Sequence, residues 1–329
     1  MLQEDYKMQH YSLLSFFFLL LNVSLSGQAM SNGKVDEMVS IISDLIKENY
    51  VLPERGKTIA KAFTEDWKRG RFYELETLKK LDSTMTKSLR EASQDFHLFT
   101  WNNKEIVQQL QAEKSEDEST ETTSFFNNKK AYNSNFGFDK IEILPDNIGY
   151  IKLSQINISE HSLKKLYGAM QLVEHTDALI IDLRNNGGGG STVGSVLETF
   201  FLEEYTDLLE FKKRDSQPEM NATVPWLLEK RYLKPLYLLV NKGTASAAEA
   251  FAFALKNQGR CTIVGQPSSG GAHMNSYFLV NQDFIIAIST AAPFLPGTDK
   301  SWEGTGVQPD YVVAADKALE KAVELIKFR

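Results

Sequence analysis

Three segments far apart in the chain hold the residue types that a nucleophilic hydrolase needs: Asp95-Phe96-His97-Leu98, Thr244-Ala245-Ser246-Ala247-Ala248-Glu249 and Trp302-Glu303-Gly304-Thr305-Gly306. A serine hydroxyl becomes a nucleophile when a base takes its proton and a third group orients that base, and the partners need be close only in space. Ser246, His97 and Glu303 would supply such a set, and the chemistry would be acyl transfer. Ser246 follows an apolar run, Leu236 to Val240, and a turn, Asn241-Lys242-Gly243, and it opens an alanine-rich helix whose N-terminal dipole favours a developing anion. The same four residues, Ser246 to Glu249, also fit a capping box, in which the serine only satisfies backbone amides.

Of the five histidines, His10 falls in an apolar N-terminal segment, and His161 and His175 belong to a predicted surface helix. His97 and His273 are left as candidate bases, and the residues alone do not choose between them. Asp182-Leu183-Arg184-Asn185-Asn186 followed by Gly187 to Gly190 lies between a buried strand and a helix, where glycines let backbone N–H groups turn toward an anion. The amides of Gly188, Gly189 and Ala247 are thus candidates for an oxyanion hole, with a plain turn as the other reading. No Gly-Lys-Ser/Thr ending makes this a phosphate loop, and the dinucleotide fingerprint is not laid out.

These residues need a scaffold, and the apolar periodicity supplies one. Val35, Met38, Val39, Ile42, Leu45 and Ile46 fall at helical spacing, as do later turns to about Glu91, so residues 30–99 form a predicted N-terminal helical subdomain. Residues 100–135 turn polar and acidic, with few apolar anchors, and are expected to be a linker or surface flap. From 136 to 329 strands and helices alternate. Strands are expected near 140–144, 148–153, 178–183, 236–240, 262–264, 276–280 and 284–289, and helices near 159–174, 193–202, 246–256 and 315–328.

At 329 residues and 42% hydrophobic, the chain can bury a substantial core. A net charge of -7 argues against a nucleic-acid partner, which would call for a clustered basic face. Cys261 is the single cysteine, which excludes an intrachain disulfide and a Cys/His zinc cluster. Leu13 to Leu25 is apolar and is followed by Ser26-Gly27-Gln28-Ala29, so residues 1–29 read as a secretory signal peptide cut after Ala29, with Met8 an alternative start. The run is short for a bilayer span, and an uncleaved anchor is the competing reading.

Thr244 to Glu249, Asp182 to Gly189, Val264-Gly265-Gln266-Pro267 and Glu303 to Asp310 together resemble, in order and spacing, the tail-specific or C-terminal processing serine peptidase family. Through Tyr50 to Glu54, Asp95 to Leu98 and Glu142 to Tyr150 the chain is most similar to the branch of interphotoreceptor retinoid-binding protein. The resemblance implies a spiral α/β core of the ClpP and crotonase kind behind an N-terminal helical subdomain, and a secreted or periplasmic peptidase acting on peptide bonds without metal or cofactor. Many members carry a lysine base where this chain has Gly271, so the layout instead resembles the tricorn protease and implies Ser246 as nucleophile, His97 as base and Glu303 as its orienting acid, with His273 as the alternative base or a substrate-site residue. Residues 100–135 leave no room for the PDZ domain of the processing enzymes. Because the branch includes carriers of retinoids or fatty acids, a non-enzymatic carrier of an apolar ligand is the alternative function, and an inactive binding relative a third.

Overall fold

The structure of the protein, a computed structural model, describes residues 30–113, 125–227 and 229–328. The predicted signal peptide, and with it His10, lies outside the described residues. So does most of the acidic run within the predicted linker.

Three helices open the chain: α1 (Asn32–Asn49), α2 (Pro53–Lys68) and α3 (Leu78–Ser93). The apolar face foreseen for α1 buries Met38, Ile42 and Ile46 against Ile59 and Phe63 of α2 and Met85 and Leu89 of α3. Pro53 suits the first turn of α2, where its missing N–H costs nothing. The Thr77 hydroxyl accepts the Lys80 N–H to start α3, and Gln94, left-handed at φ 55°, ends it and turns the chain into Asp95–Leu98. That turn delivers His97.

Strand β1 (Phe99–Asn102), helix α4 (Lys104–Glu113) and helix α5 (Lys129–Asn133) follow, so the ends of the predicted linker carry regular structure. The Asp82 carboxylate anchors β1 by accepting the Thr100 hydroxyl and the Asn102 N–H. The alternating region then runs β2 (Phe138–Leu144), β3 (Ile148–Leu153), β4 (Ile156–Ile158), α6 (Leu163–Val173), β5 (Ala178–Asp182), β6 (Gly189–Ser191), α7 (Val196–Thr199), β7 (Asp207–Lys213), β8 (Glu219–Ala222), β9 (Leu236–Val240), α8 (Ala247–Asn257), β10 (Thr262–Gly265), β11 (Met274–Leu279), β12 (Phe284–Phe294), β13 (Tyr311–Val312) and α9 (Ala318–Lys327). The helix expected over 193–202 is a single turn, α7, flanked by Gly194 and a bend into β7.

A six-stranded sheet, ordered β13-β10-β9-β5-β3-β2, is parallel except for β2. Its central strands β5 and β9 are buried along their whole length, which explains why they read as unbroken apolar runs. Alternate residues serve opposite faces: Leu179 and Ile181 join the core under α6 and α8, whereas Ile180 packs with Ala318 and Ala322 of α9. In a second sheet β12 pairs with β1, β7 and β11, and Phe284, Ile286 and Ile288 of β12 share one core with α1–α3. The N-terminal helices therefore rest on strands from the far end of the chain. A two-stranded parallel ribbon, β4 with β6, holds the glycine-rich loop. No helix among the described residues is long and apolar enough to cross a membrane.

Candidate active site

Two loops at the C-terminal ends of β5 and β9 are bolted together. Asn185 N–H donates to Asn241 Oδ1, Asn241 Nδ2 to Asn185 Oδ1, the Thr244 hydroxyl to the Leu183 carbonyl, and Ala245 N–H to the Asn186 carbonyl. Ser246 is thereby fixed between β9 and α8 at φ 53° and ψ -123°. A non-glycine residue in that region is strained by about 1–3 kcal/mol, and such strand-to-helix turns lift a nucleophile clear of the backbone. A Cβ added at Gly188 (φ 100°) would lie 2.6 Å from Ser246 Cβ, so only glycine lets this loop approach the serine.

Glu249, three residues on, has no exposed surface. Its carboxylate accepts the Ser246 N–H at 2.9 Å, the Ser268 hydroxyl at 2.5 Å, and the N–H groups of Gly270 and Gly271 at 2.7 and 3.0 Å. The sequence places it as half of a capping box, and the fold uses it additionally to tie the serine turn to the loop before β11. Glu249→Ala strands at least four donors, three of them buried, so we expect a loss of about 3–5 kcal/mol, read as a lowered urea midpoint.

That loop meets the first histidine. A Cβ built on Gly271 would sit 3.0 Å from His97 Cε1 and 3.6 Å from its Nδ1, so the imidazole fills the volume that a longer side chain at 271 would need. His97 Nδ1 is buried without a partner, and among the described residues no hydrogen bond joins His97 to Ser246. Burial holds the His97 pKa below the usual histidine range, against the opposing pull of the Asp95 carboxylate.

His273 lies elsewhere. Its neighbours Ala272 and Met274 line the cavity of Ser246, whereas His273 points the other way, 5% exposed, with Nδ1 2.9 Å from Asp95 Oδ2. Asp95 also accepts the Tyr50 and Ser289 hydroxyls on Oδ2 and the His97 N–H on Oδ1. Burial raises the Asp95 pKa, but the hydrogen bond and charge of His273, then Ser289 and the His97 amide, outweigh it and hold the carboxyl down to about 2. An ionised carboxylate only accepts, so His273 Nδ1 is the donor of this pair. Sequence reasoning missed Asp95 as the hub. The available signal was an acid two residues before His97, positioned to cap its backbone.

Among the described residues no hydrogen bond joins Glu303 to His97. Its Oε2 accepts the N–H groups of Ala272 and His273 at 2.7 and 3.1 Å, and its Oε1, buried and unbonded, lies 3.8 Å from His273 Nδ1. Burial pushes the Glu303 pKa up, with Asp95 adding to the rise and His273 opposing it. Asp95, His273 and Glu303 present ligand-type atoms within 4.8 Å of one another. Asp95 Oδ2 already receives three donors, which fits a hydrogen-bonded cluster better than a cation site.

Of the amides expected to form the oxyanion hole, that of Gly188 is engaged, because it donates to Asn186 Oδ1 at 2.9 Å. Asn186 is fully buried and spends its own amide on the Leu153 carbonyl, so it holds the loop in place. Ala247 is the first residue of α8, and its N–H has no acceptor within the helix. Gly189, Ser246 and Ala247 all line a cavity of about 430 Å³ that is walled further by Ile158, Leu197, Leu209, Phe211, Ala250 and Trp302.

The sequence profile of peptidase family S41 matches residues 147–313, and that of the N-terminal domain of peptidase S41 in eukaryotic IRBP matches residues 30–143. A carboxyl-terminal-processing protease of Synechocystis sp. is 33% identical over 168 residues, 50% of this chain and 38% of that protein. A carboxy-terminal-processing protease of Bartonella bacilliformis is 30% identical over 173 residues, again 50% and 38%. The chain thus spans well under half the length of these relatives. A putative peptidase from Parabacteroides merdae superposes with a TM-score of 0.63 at 20% identity, covering 88% of this chain and 96% of that one. For the tricorn protease the TM-score is 0.56 at 14% identity, with 90% and 36% covered. These two likenesses are of fold, and they agree with the α/β core behind N-terminal helices. With the first profile spanning half its length, the chain belongs to peptidase family S41.

Proposed function

We propose that the chain is a serine peptidase in which Ser246 attacks a peptide carbonyl, His97 takes its proton and returns it to the leaving amine, and the amides of Gly189 and Ala247 receive the oxyanion. The observation that carries this reading is Ser246 itself, held at φ 53° on a strand-to-helix turn that borders a cavity. His97 is favoured over His273 because its ring lies beside Gly271, whose N–H shares the Glu249 carboxylate with the Ser246 N–H, whereas His273 is turned into the Asp95 cluster. The bond between Ser246 and His97 would form with substrate, since catalytic hydrogen bonds are often loose in free enzymes. Glu303 is proposed to orient His97. Two buried atoms without partners, His97 Nδ1 and Glu303 Oε1, flank Gly271 and Ala272 and are the two that such a bond would join.

An apolar cavity sealed away from Ser246 would have favoured the carrier of apolar ligands; the cavity here has Ser246 in its wall. We place the protein outside the cytoplasm, in a secreted or periplasmic setting, on the strength of the leader-like residues Leu13 to Ala29.

The deciding experiment is reaction of the purified protein with a fluorophosphonate, followed by peptide mapping. The expected adduct is on Ser246, and it is lost in Ser246→Ala and slowed in His97→Ala. Folded wild type that stays unlabelled while a control hydrolase reacts would end the peptidase reading and move the search to apolar ligands.

A further inference from the structure

One acid in the Ser246 cavity takes no part in the chemistry above. Glu198, on the single turn α7, contributes to the cavity wall together with Leu197, Leu209, Phe211, Ala250 and Trp302. Among the described residues no other group bonds its carboxylate; the one donor it receives is its own backbone N–H. The remaining charged residues of the lining, Lys213 and Glu219, are exposed and satisfy each other at 2.6 Å. Glu198 is therefore an unpaired acid beside apolar wall residues, in the same cavity as the nucleophile.

We infer that this cavity receives the substrate side chain adjoining the scissile carbonyl, and that Glu198 selects one with an apolar stem ending in a cation, lysyl or arginyl. The inference rests on the peptidase reading and adds a substrate class to it. The geometry fits such a guest: Gly189, Ser246 and Ala247 hold the carbonyl end, the aliphatic and aromatic wall covers the methylenes, and the carboxylate supplies the counter-charge. Part of Glu198 still meets the cavity, yet protein encloses the carboxyl enough for burial to push its pKa up to about 7. A carboxyl so poorly solvated gains more from an arriving cation than an exposed one would. A purely apolar guest would instead leave the acid buried and unpaired, which disfavours it.

The test uses two peptidyl aryl phosphonates that differ only in ending with a lysine or a norleucine side chain, so that stem and volume match and the ammonium is the variable. Second-order labelling rates are measured on wild type, Glu198→Gln and Glu198→Asp, beside a small fluorophosphonate that carries no such side chain. Wild type is expected to favour the lysine probe by ~30-fold, the size of one charge-assisted hydrogen bond. That ratio should fall to about 1 in Glu198→Gln and recover in part in Glu198→Asp. A wild-type ratio at or below 1, or Glu198→Gln slowing both probes equally, overturns the inference. Fluorophosphonate reaction without side-chain discrimination removes the pocket assignment and leaves the peptidase intact. Absence of reaction with every probe removes both.

Discussion

Ser246→Gly is expected to abolish peptide turnover and at the same time make the protein more stable, by about 1 kcal/mol, whereas Ser246→Ala abolishes turnover without that gain. The two variants remove the same hydroxyl, so each should lose at least ~10⁴-fold in kcat, the scale seen when a nucleophile is deleted from a serine hydrolase. They differ in backbone. Position 246 sits at φ 53° and ψ -123°, which alanine tolerates no better than serine and glycine occupies freely. The gain is smaller than the full strain because glycine also has more unfolded-state entropy to lose. Urea midpoints with a turnover assay on the same preparations decide the matter. If Ser246→Gly proves less stable than wild type, the turn is not a reservoir of strain and its φ has another cause.

The sequence exposes the nucleophile turn because strand, turn and helix each leave a separate mark: the apolar run Leu236 to Val240, the residues Asn241 to Gly243, and the alanines after Ser246. The buried parallel strands were equally legible, since strands covered on both faces read as continuous apolar runs. What stayed hidden depends on long-range pairing. Strand β1 is held by Asp82 and by β12, some 180 residues away, and no local pattern announces such a partner. For the same reason the roles of the acids were hard to assign. Glu249 reads as a helix cap and Glu303 as the acid that orients the base, while the fold makes both into acceptors for the loop from Ser268 to His273. A difference in facing bears on the choice between His97 and His273: Ala272 and Met274 line the cavity, whereas His273 is turned to Asp95.

That facing predicts opposite phenotypes for the two histidines. His97→Ala should lower kcat/KM by ~10³-fold, within the range of a general base, and change the denaturation midpoint little, because no hydrogen bond to the ring is lost. His273→Ala should instead cost about 3–5 kcal/mol of stability, because it leaves the buried Asp95 carboxylate without the donor at His273 Nδ1. The pH dependence separates them again. The folded-state pKa of His97 is depressed by burial, so the neutral base persists below the usual titration point, and kcat/KM should rise with pH through a midpoint below about 6.5. Stability shares that direction: as pH falls below about 6.5 the unfolded chain takes up a proton at position 97 before the folded one does, which weakens the fold. Asp95 adds a second, more acidic loss. Its carboxyl is held to about 2 against 3.8 for the ordinary group, so its contribution is complete above that ordinary value and disappears as pH drops toward 2. A His97→Ala protein that keeps its rate, beside a folded His273→Ala protein that loses it, would transfer the role of base to His273 and require the loop from Ser268 to His273 to swing its ring toward Ser246 in the working enzyme.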